Sequence, residues 1–180
     1  KSALVSNQGI DDVGKKNLEA LEGEHVATNF IVSHEGMPSN YHYVLLYKDE
    51  RTILVKHEKY PYTLPDIGNP KWLYLTSLGE HSLEFHGVIA DYLDTHDMVN
   101  LAFQPGTFQI KLGKEKLARI YKRSKIFFCN KEEAQQILGM SSPDIGTLLK
   151  SVHKLGPEIV VITDGPSGAY ALHGTSGDMW

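Results

Sequence analysis

Four short apolar runs recur at intervals of about thirty residues along the later part of the chain, the spacing of strand–helix–strand units. They lie at residues 72–76, 99–103, 126–129 and 158–163. All but the last carry hardly a charge and none alternates cleanly, which predicts strands buried on both faces. Between them the apolar positions switch to a helical period. Phe85, Val88, Ile89, Tyr92 and Leu93 share one face of a helix. Leu117, Ile120 and Tyr121 mark a shorter, basic helix, Ala134, Ile137 and Leu138 a third, and Leu148, Leu149, Val152 and Leu155 a fourth. Strand and helix alternating in this way predict an α/β fold, a parallel sheet flanked by helices.

The first third has a different texture. After one helix, near residues 13–21, come three β-prone runs at 30–33, 41–47 and 52–57, with no helix between them. Their breakers are Gly36-Met37-Pro38 and Lys48-Asp49-Glu50. This pattern predicts a small antiparallel meander. Such a sheet cannot join a parallel core easily, so it should project from it as a lid that excludes water. The expected organisation is a core of residues 1–27 and 63–180 with a β lid at 28–62; a stretch near 62–70 containing Gly68 returns the chain to the core.

Composition narrows the classes. A chain of 180 residues, 41% hydrophobic and 22% charged, is long enough for a real core. Its net charge of −4 argues against nucleic acid as a partner, because polyanion-binding surfaces are normally basic. No apolar run approaches the ~18 residues of a membrane span. A single cysteine, Cys129, fits a reducing, cytoplasmic setting. The chain begins at Lys1 and ends at Trp180 directly after Gly-Asp-Met, and so reads as a piece of a longer protein.

Two polar clusters follow the last two predicted strands, at what should be one edge of the sheet. Ligands of open α/β sheets bind at that edge, outside the carboxyl ends of the strands. The first cluster is Asn130-Lys131-Glu132-Glu133. As a helix start it forms a capping box, Asn at the cap and Glu three residues on. As a ligand site it offers an amide to phosphate oxygens and a carboxylate to a divalent cation or its waters, at a helix end that favours anions. The second is Thr163-Asp164-Gly165-Pro166-Ser167-Gly168-Ala169. By itself it reads first as an ordinary turn; its place on the same edge as Asn130 raises the alternative of a phosphate-binding turn, in which glycines admit an oxyanion to backbone amides. Gly9-Ile10-Asp11-Asp12-Val13-Gly14 is sufficiently explained as a turn and helix cap. Turn chemistry likewise accounts for Thr76-Ser77-Leu78-Gly79 and Gln104-Pro105-Gly106, though either could line the same crevice. The cluster His81, Glu84 and His86 matches no usual zinc spacing. No Walker loop, dinucleotide fingerprint or nucleophile elbow is present. Cys129 is expected to be a small buried side chain. Tyr41, Tyr43, Tyr47, Tyr60 and Tyr62 either stack on a ligand or fill alternating sheet positions.

The ordered set resembles the ribokinase-like (PfkB) family of carbohydrate and nucleoside kinases. The likeness is carried by Gly9-Ile10-Asp11-Asp12-Val13-Gly14, Glu50-Arg51-Thr52-Ile53-Leu54, Gln104-Pro105-Gly106, Asn130-Lys131-Glu132-Glu133-Ala134 and Thr163 to Tyr170. It covers essentially the whole chain as the central portion of a family member. The resemblance implies a Rossmann-like central sheet, a β lid over the sugar, and transfer of the γ-phosphoryl of ATP to a sugar or nucleoside hydroxyl with Mg²⁺. It implies that Asn130 contacts nucleotide phosphates, that Glu133 organises Mg²⁺ through water, that Thr163 and Gly165 contact the nucleotide, and that Gly168 shapes the turn. A homodimer through the lid is compatible with it. The family's sugar motif is expected before residue 1 and its catalytic base beyond Trp180, since Asp178 in Ser176-Gly177-Asp178 follows the Thr163 cluster too closely. Gln104 stands where related sequences often carry Asn or Asp, which leaves its role open. The 180 residues alone are therefore expected to be inactive. The alternative is a non-catalytic nucleotide- or sugar-binding module of the same fold.

Overall fold

The computed structural model describes residues 1–48, 50–141 and 144–180. The chain divides into two compact units, Lys1–Asp66 and Ile67–Trp180.

The second unit holds a five-stranded sheet in which each strand lies beside its neighbour in sequence. Its elements run β7 (Trp72–Leu75), α2 (Leu83–Thr95), β8 (Asn100–Phe103), α3 (Thr107–Leu112), α4 (Ala118–Arg123), β9 (Ser124–Asn130), α5 (Lys131–Leu138), α6 (Ile145–His153), β10 (Ile159–Thr163) and β11 (Ala169–His173). The four strands β7 to β10 pair in parallel, as the four apolar runs predict, and β11 adds an antiparallel edge. Leu101, Phe103, Phe127, Val160 and Ile162 are fully buried in these strands. Phe103, Tyr121 and Phe127 meet as an aromatic cluster with ring centroids 5.3–5.7 Å apart. Of the positions the helical period picks out, Val88 is exposed and Leu155 lies beyond the end of α6, whereas Phe85, Ile89 and Leu93 of α2 and Leu148, Leu149 and Val152 of α6 are buried. Burial of each such side chain is worth roughly 1.5–3 kcal/mol before chain entropy is counted.

The first unit comprises β1 (Ser2–Ala3), β2 (Ser6–Gly9), α1 (Asp12–Gly23), β3 (Val26–Ala27), β4 (Ile31–His34), β5 (Tyr41–Tyr47) and β6 (Glu50–Lys56). Here the meander expected from sequence is corrected. β5 and β6 form an antiparallel hairpin, but β4 pairs in parallel with β2, from Ser6↔Ile31 to Gly9↔His34. The reason is a polar ladder that hydrophobic patterning cannot reveal. Buried Gln8 donates from Nε2 to Ser33 Oγ at 3.2 Å, and Asn7 Oδ1 lies 2.8 Å from His34 Nε2. The breaker Lys48-Asp49-Glu50 falls partly outside the described residues, at Asp49.

Asp11 caps α1. Its carboxylate accepts from Gly14 N at 2.8 Å, Ser39 N at 2.7 Å and Ser39 Oγ at 2.6 Å. The Ser39 hydroxyl above all, with these backbone amides, lowers its pKa to about 2. At Gly9 a Cβ would lie 2.1 Å from Met37 O, so this tight turn admits no side chain. In β5, Tyr41, Tyr43 and Tyr47 occupy one face by the period of two, and all are exposed. Tyr60 lies outside any strand and is buried, its hydroxyl donating to Pro38 O at 2.5 Å.

Candidate functional site at the carboxyl edge of the sheet

β9 and β10 pair so that Asn130 is directly opposite Thr163, each the last residue of its strand. Neighbouring strands lie about 4.8 Å apart, so the two polar clusters that sequence separates by thirty-three positions begin side by side.

From Asn130 the chain enters α5 through a complete capping box. Asn130 Oδ1 accepts from Glu133 N and Glu133 Oε2 accepts from Asn130 N, both at 2.8 Å. One carboxylate oxygen of Glu133 is thus committed to the helix, while Oε1 has no partner among the described residues. The structure thus realises the capping reading, and it leaves Glu133 Oε1 outside the cap. From Thr163 the chain enters a short 3₁₀ turn, Gly165–Ser167, closed by Ser167 N to Asp164 O at 2.9 Å and Asp164 N to Gly168 O at 2.8 Å. Gly165 and Gly168 have φ of +50° and +98°, a region other residues enter only with strain. Nothing stands within 4 Å of where a Cβ would sit on either one. Thr163, Gly165 and Gly168 are exposed. The turn therefore presents an open backbone surface beside a helix N-terminus, a combination suited to an anion. For a hard cation the edge offers the remaining Glu133 oxygen. One oxygen suits a Mg²⁺ ion that keeps most of its waters.

Cys129 is 3% exposed, and burial, with the nearby Glu133 charge, pushes its thiol up to about 12. It is inert packing, not a nucleophile.

Sequence reasoning missed two contacts here. The first is an ion pair between the clusters: Lys131 Nζ lies 3.0 Å from Asp164 Oδ2. The second knits the loops after β7 and β8. Gln109, 1% exposed, accepts through Oε1 from Gly106 N at 2.7 Å and Leu78 N at 3.3 Å, and donates through Nε2 to Thr76 O at 3.0 Å. His86, 2% exposed, completes the network. Its Nδ1 lies 2.7 Å from Ser82 O and its Nε2 lies 3.0 Å from Gln109 Nε2. A carbonyl only accepts, so Nδ1 carries the proton and Nε2 accepts from the amide, which fixes a neutral imidazole. Gln104 Oε1 accepts from Tyr74 Oη at the same edge, so its side chain is engaged with its neighbour strand.

Burial lowers the His86 pKa below its ordinary 6.5, against a smaller opposing effect of Ser82 O. The unfolded chain therefore takes up this proton first on acidification. The contribution of His86 to stability is complete above about pH 6.5 and falls as the pH drops toward the folded-state pKa, by up to about 1.4 kcal/mol per pH unit. His86→Gln should flatten this part of the profile in urea midpoints measured between about pH 5 and 8. An unchanged slope in the variant would assign the effect to other histidines.

A cleft of about 230 Å³ lies at the opposite, amino edge, among Asn100, Lys122, Arg123, Lys125 and Glu158. It touches none of the residues above. Among the described residues, no helix is long and apolar enough to cross a membrane.

The sequence profile of the pfkB family carbohydrate kinases matches residues 1–179. An uncharacterized sugar kinase of Archaeoglobus fulgidus is 26% identical over 184 aligned positions, covering 97% of this chain and 70% of that protein. The structure of ribokinase from Giardia lamblia superposes with a TM-score of 0.80 at 18% identity, covering 99% of this chain and 58% of that one. Fructokinase from Vibrio cholerae, crystallised with fructose, ADP and calcium ion, gives 0.76 at 17% identity, with 100% and 62% covered. The chain thus spans about six-tenths of these solved relatives. A parallel sheet whose edge joins a capped Asn-x-x-Glu helix to a glycine turn, matched along nearly its whole length by one profile, places this chain in the pfkB family of carbohydrate kinases.

Proposed function

We propose that the protein containing this chain is an ATP- and Mg²⁺-dependent kinase that phosphorylates a hydroxyl of a sugar or nucleoside. The observation that carries this reading is the register of Asn130 against Thr163, which joins a helix N-terminus and an open glycine turn at one edge. ATP supplies the phosphoryl group, and Mg²⁺ offsets its charge. Asn130 directs its amide toward the phosphates while its Oδ1 caps the helix. Glu133 orients metal-bound water through Oε1. Thr163 and Gly165 hold the nucleotide against the turn, and Gly168 keeps the turn open. Phosphoryl transfer depends on such positioning and charge neutralisation more than on covalent chemistry by the protein. The acceptor's proton goes to a base outside residues 1–180.

In this reading residues 28–62 act as a lid and residues 1–27 work with 63–180. A second copy of the chain covers the β5–β6 hairpin, giving a homodimer. Support comes from Leu46 and Tyr47, 76% and 71% exposed, on a two-stranded hairpin of a kind only marginally stable alone in water. The one cysteine supports a cytoplasmic setting.

Glu133→Gln in the full-length protein is the test. Glutamine still accepts from Asn130 N and so keeps the cap, but it removes the charge. The Mg²⁺ concentration for half-maximal activity should rise about tenfold, which corresponds to roughly 1.4 kcal/mol, with the melting temperature unchanged. An unaltered metal response would remove Glu133 from the metal's surroundings.

A further inference from the structure

Lys131 and Asp164 stand where local structure favours neither charge. Lys131 is the first residue of α5, the end at which the helix dipole disfavours a cation. Asp164 precedes the 3₁₀ turn, yet its side chain makes no cap hydrogen bond. Asp11, Asn130 and Asp144 occupy the equivalent position of their helices, and each accepts from a backbone amide of the first turn. The Asp164 carboxylate instead accepts from Lys131 Nζ at 3.0 Å, with the two side chains 22% and 24% exposed. The register that sets Asn130 against Thr163 sets the residues that follow them, Lys131 and Asp164, across the same gap.

A carboxylate beside an open phosphate-type turn repels the ligand that turn would hold. We infer that Lys131 is the counter-ion that screens Asp164 from bound polyphosphate, so that the pair as a unit sets the nucleotide affinity of this edge. The inference rests on the nucleotide reading above and adds a positioning pair to it. Lys131 does not contact the phosphates. It cancels the one negative charge that the turn presents beside them, and it holds that carboxylate against α5. Asp164 in turn relieves the cation at the helix start.

The three arms of a charge cycle separate this role from its rivals. Full-length protein is titrated calorimetrically with ADP in the presence of Mg²⁺, in low salt and again at high salt. Lys131→Met exposes Asp164 and should weaken binding roughly five- to tenfold, the effect of one like charge at short range in a high-dielectric setting. That deficit should shrink as salt rises, since screening shortens to about 3 Å at 1 M. Asp164→Asn alone should bind as tightly as wild type or tighter, and the double variant should return to within about twofold of wild type. A double variant as weak as Lys131→Met would show that Lys131 touches phosphate directly and would overturn the inference. So would an Asp164→Asn variant as weak as Lys131→Met, because the pair would then be a structural tie. Wild-type protein that binds no ADP would instead reject the nucleotide reading itself. Thermal melts of all three variants confirm that each is folded.

Discussion

Phe127→Ala should lower the stability of the protein by about 3–5 kcal/mol, the range for removing a large aromatic from a close-packed interior. Phe127 is fully buried on β9, with Phe103 and Tyr121 at 5.7 and 5.3 Å, and its backbone pairs with Val160 of β10. Neither ring can collapse into the space it leaves, because Phe103 is itself fixed on β8 and Tyr121 on α4. The loss is large against the 5–15 kcal/mol that holds most domains folded. It also reaches the site, because Asn130 is three residues further along the same strand. Urea unfolding of the full-length protein provides the check: the midpoint should fall with an unchanged slope, the sign of lost stability rather than altered compactness. A midpoint within experimental error of wild type would mean that the cluster is not the centre of this core.

The parallel half of the fold was legible because its signal is energetic. Strands covered by helices must be largely apolar, so residues 72–76, 99–103, 126–129 and 158–163 announce themselves, and all four fall on strands; β7 departs from burial on both faces, since Trp72 and Tyr74 are exposed. β2 was illegible for the complementary reason. Its residues, Ser6, Asn7, Gln8 and Gly9, include no large apolar side chain, and its polar groups bond residues 25, 27 and 30 positions away. A strand held by such bonds leaves no periodicity, and without it the hydrophobic pattern points β4 to the wrong neighbour. Tyr60 shows the same limit, since a single tyrosine carries no information about whether it alternates in a strand or plugs a turn.

At the candidate site, local chemistry was readable and pairing was not. The Asn130–Glu133 capping box is a four-residue motif whose geometry follows from its spacing. The Lys131–Asp164 pair depends on the register of two strands joined through two helices, which no local pattern fixes. His86 was legible only as a histidine that matched no metal spacing. Its partner, Gln109, arrives from a helix that six residues of sequence do not announce. Gln104 behaves alike: its engagement with Tyr74 is set by the pairing of β7 with β8.

Residues 1–180 expressed alone should phosphorylate no sugar or nucleoside, whereas the full-length protein should do so if the proposed function holds. A general base must come within hydrogen-bond reach of the acceptor hydroxyl, and it commonly contributes about 10²–10⁴-fold in rate. At the carboxyl edge, Glu133 closes the capping box, Asp164 faces Lys131, and Glu132 is exposed at the helix start. Asp178 is the remaining candidate by sequence, and the topology moves it away. β11 begins at Ala169 opposite Thr163 and ends at His173 opposite Ile159. Asp178 O accepts from His173 N at 3.0 Å, so Asp178 sits at the far end of that strand. Four residues of strand separate the two ends, about 13 Å at 3.3 Å each. The paired expectation is that Asp178→Asn in the full-length protein leaves kcat unchanged. A coupled assay for ATP turnover on purified residues 1–180, beside the full-length protein and this variant, decides the matter. Robust turnover by the 180 residues would place the base within them, and a collapse of kcat in Asp178→Asn would identify it as Asp178.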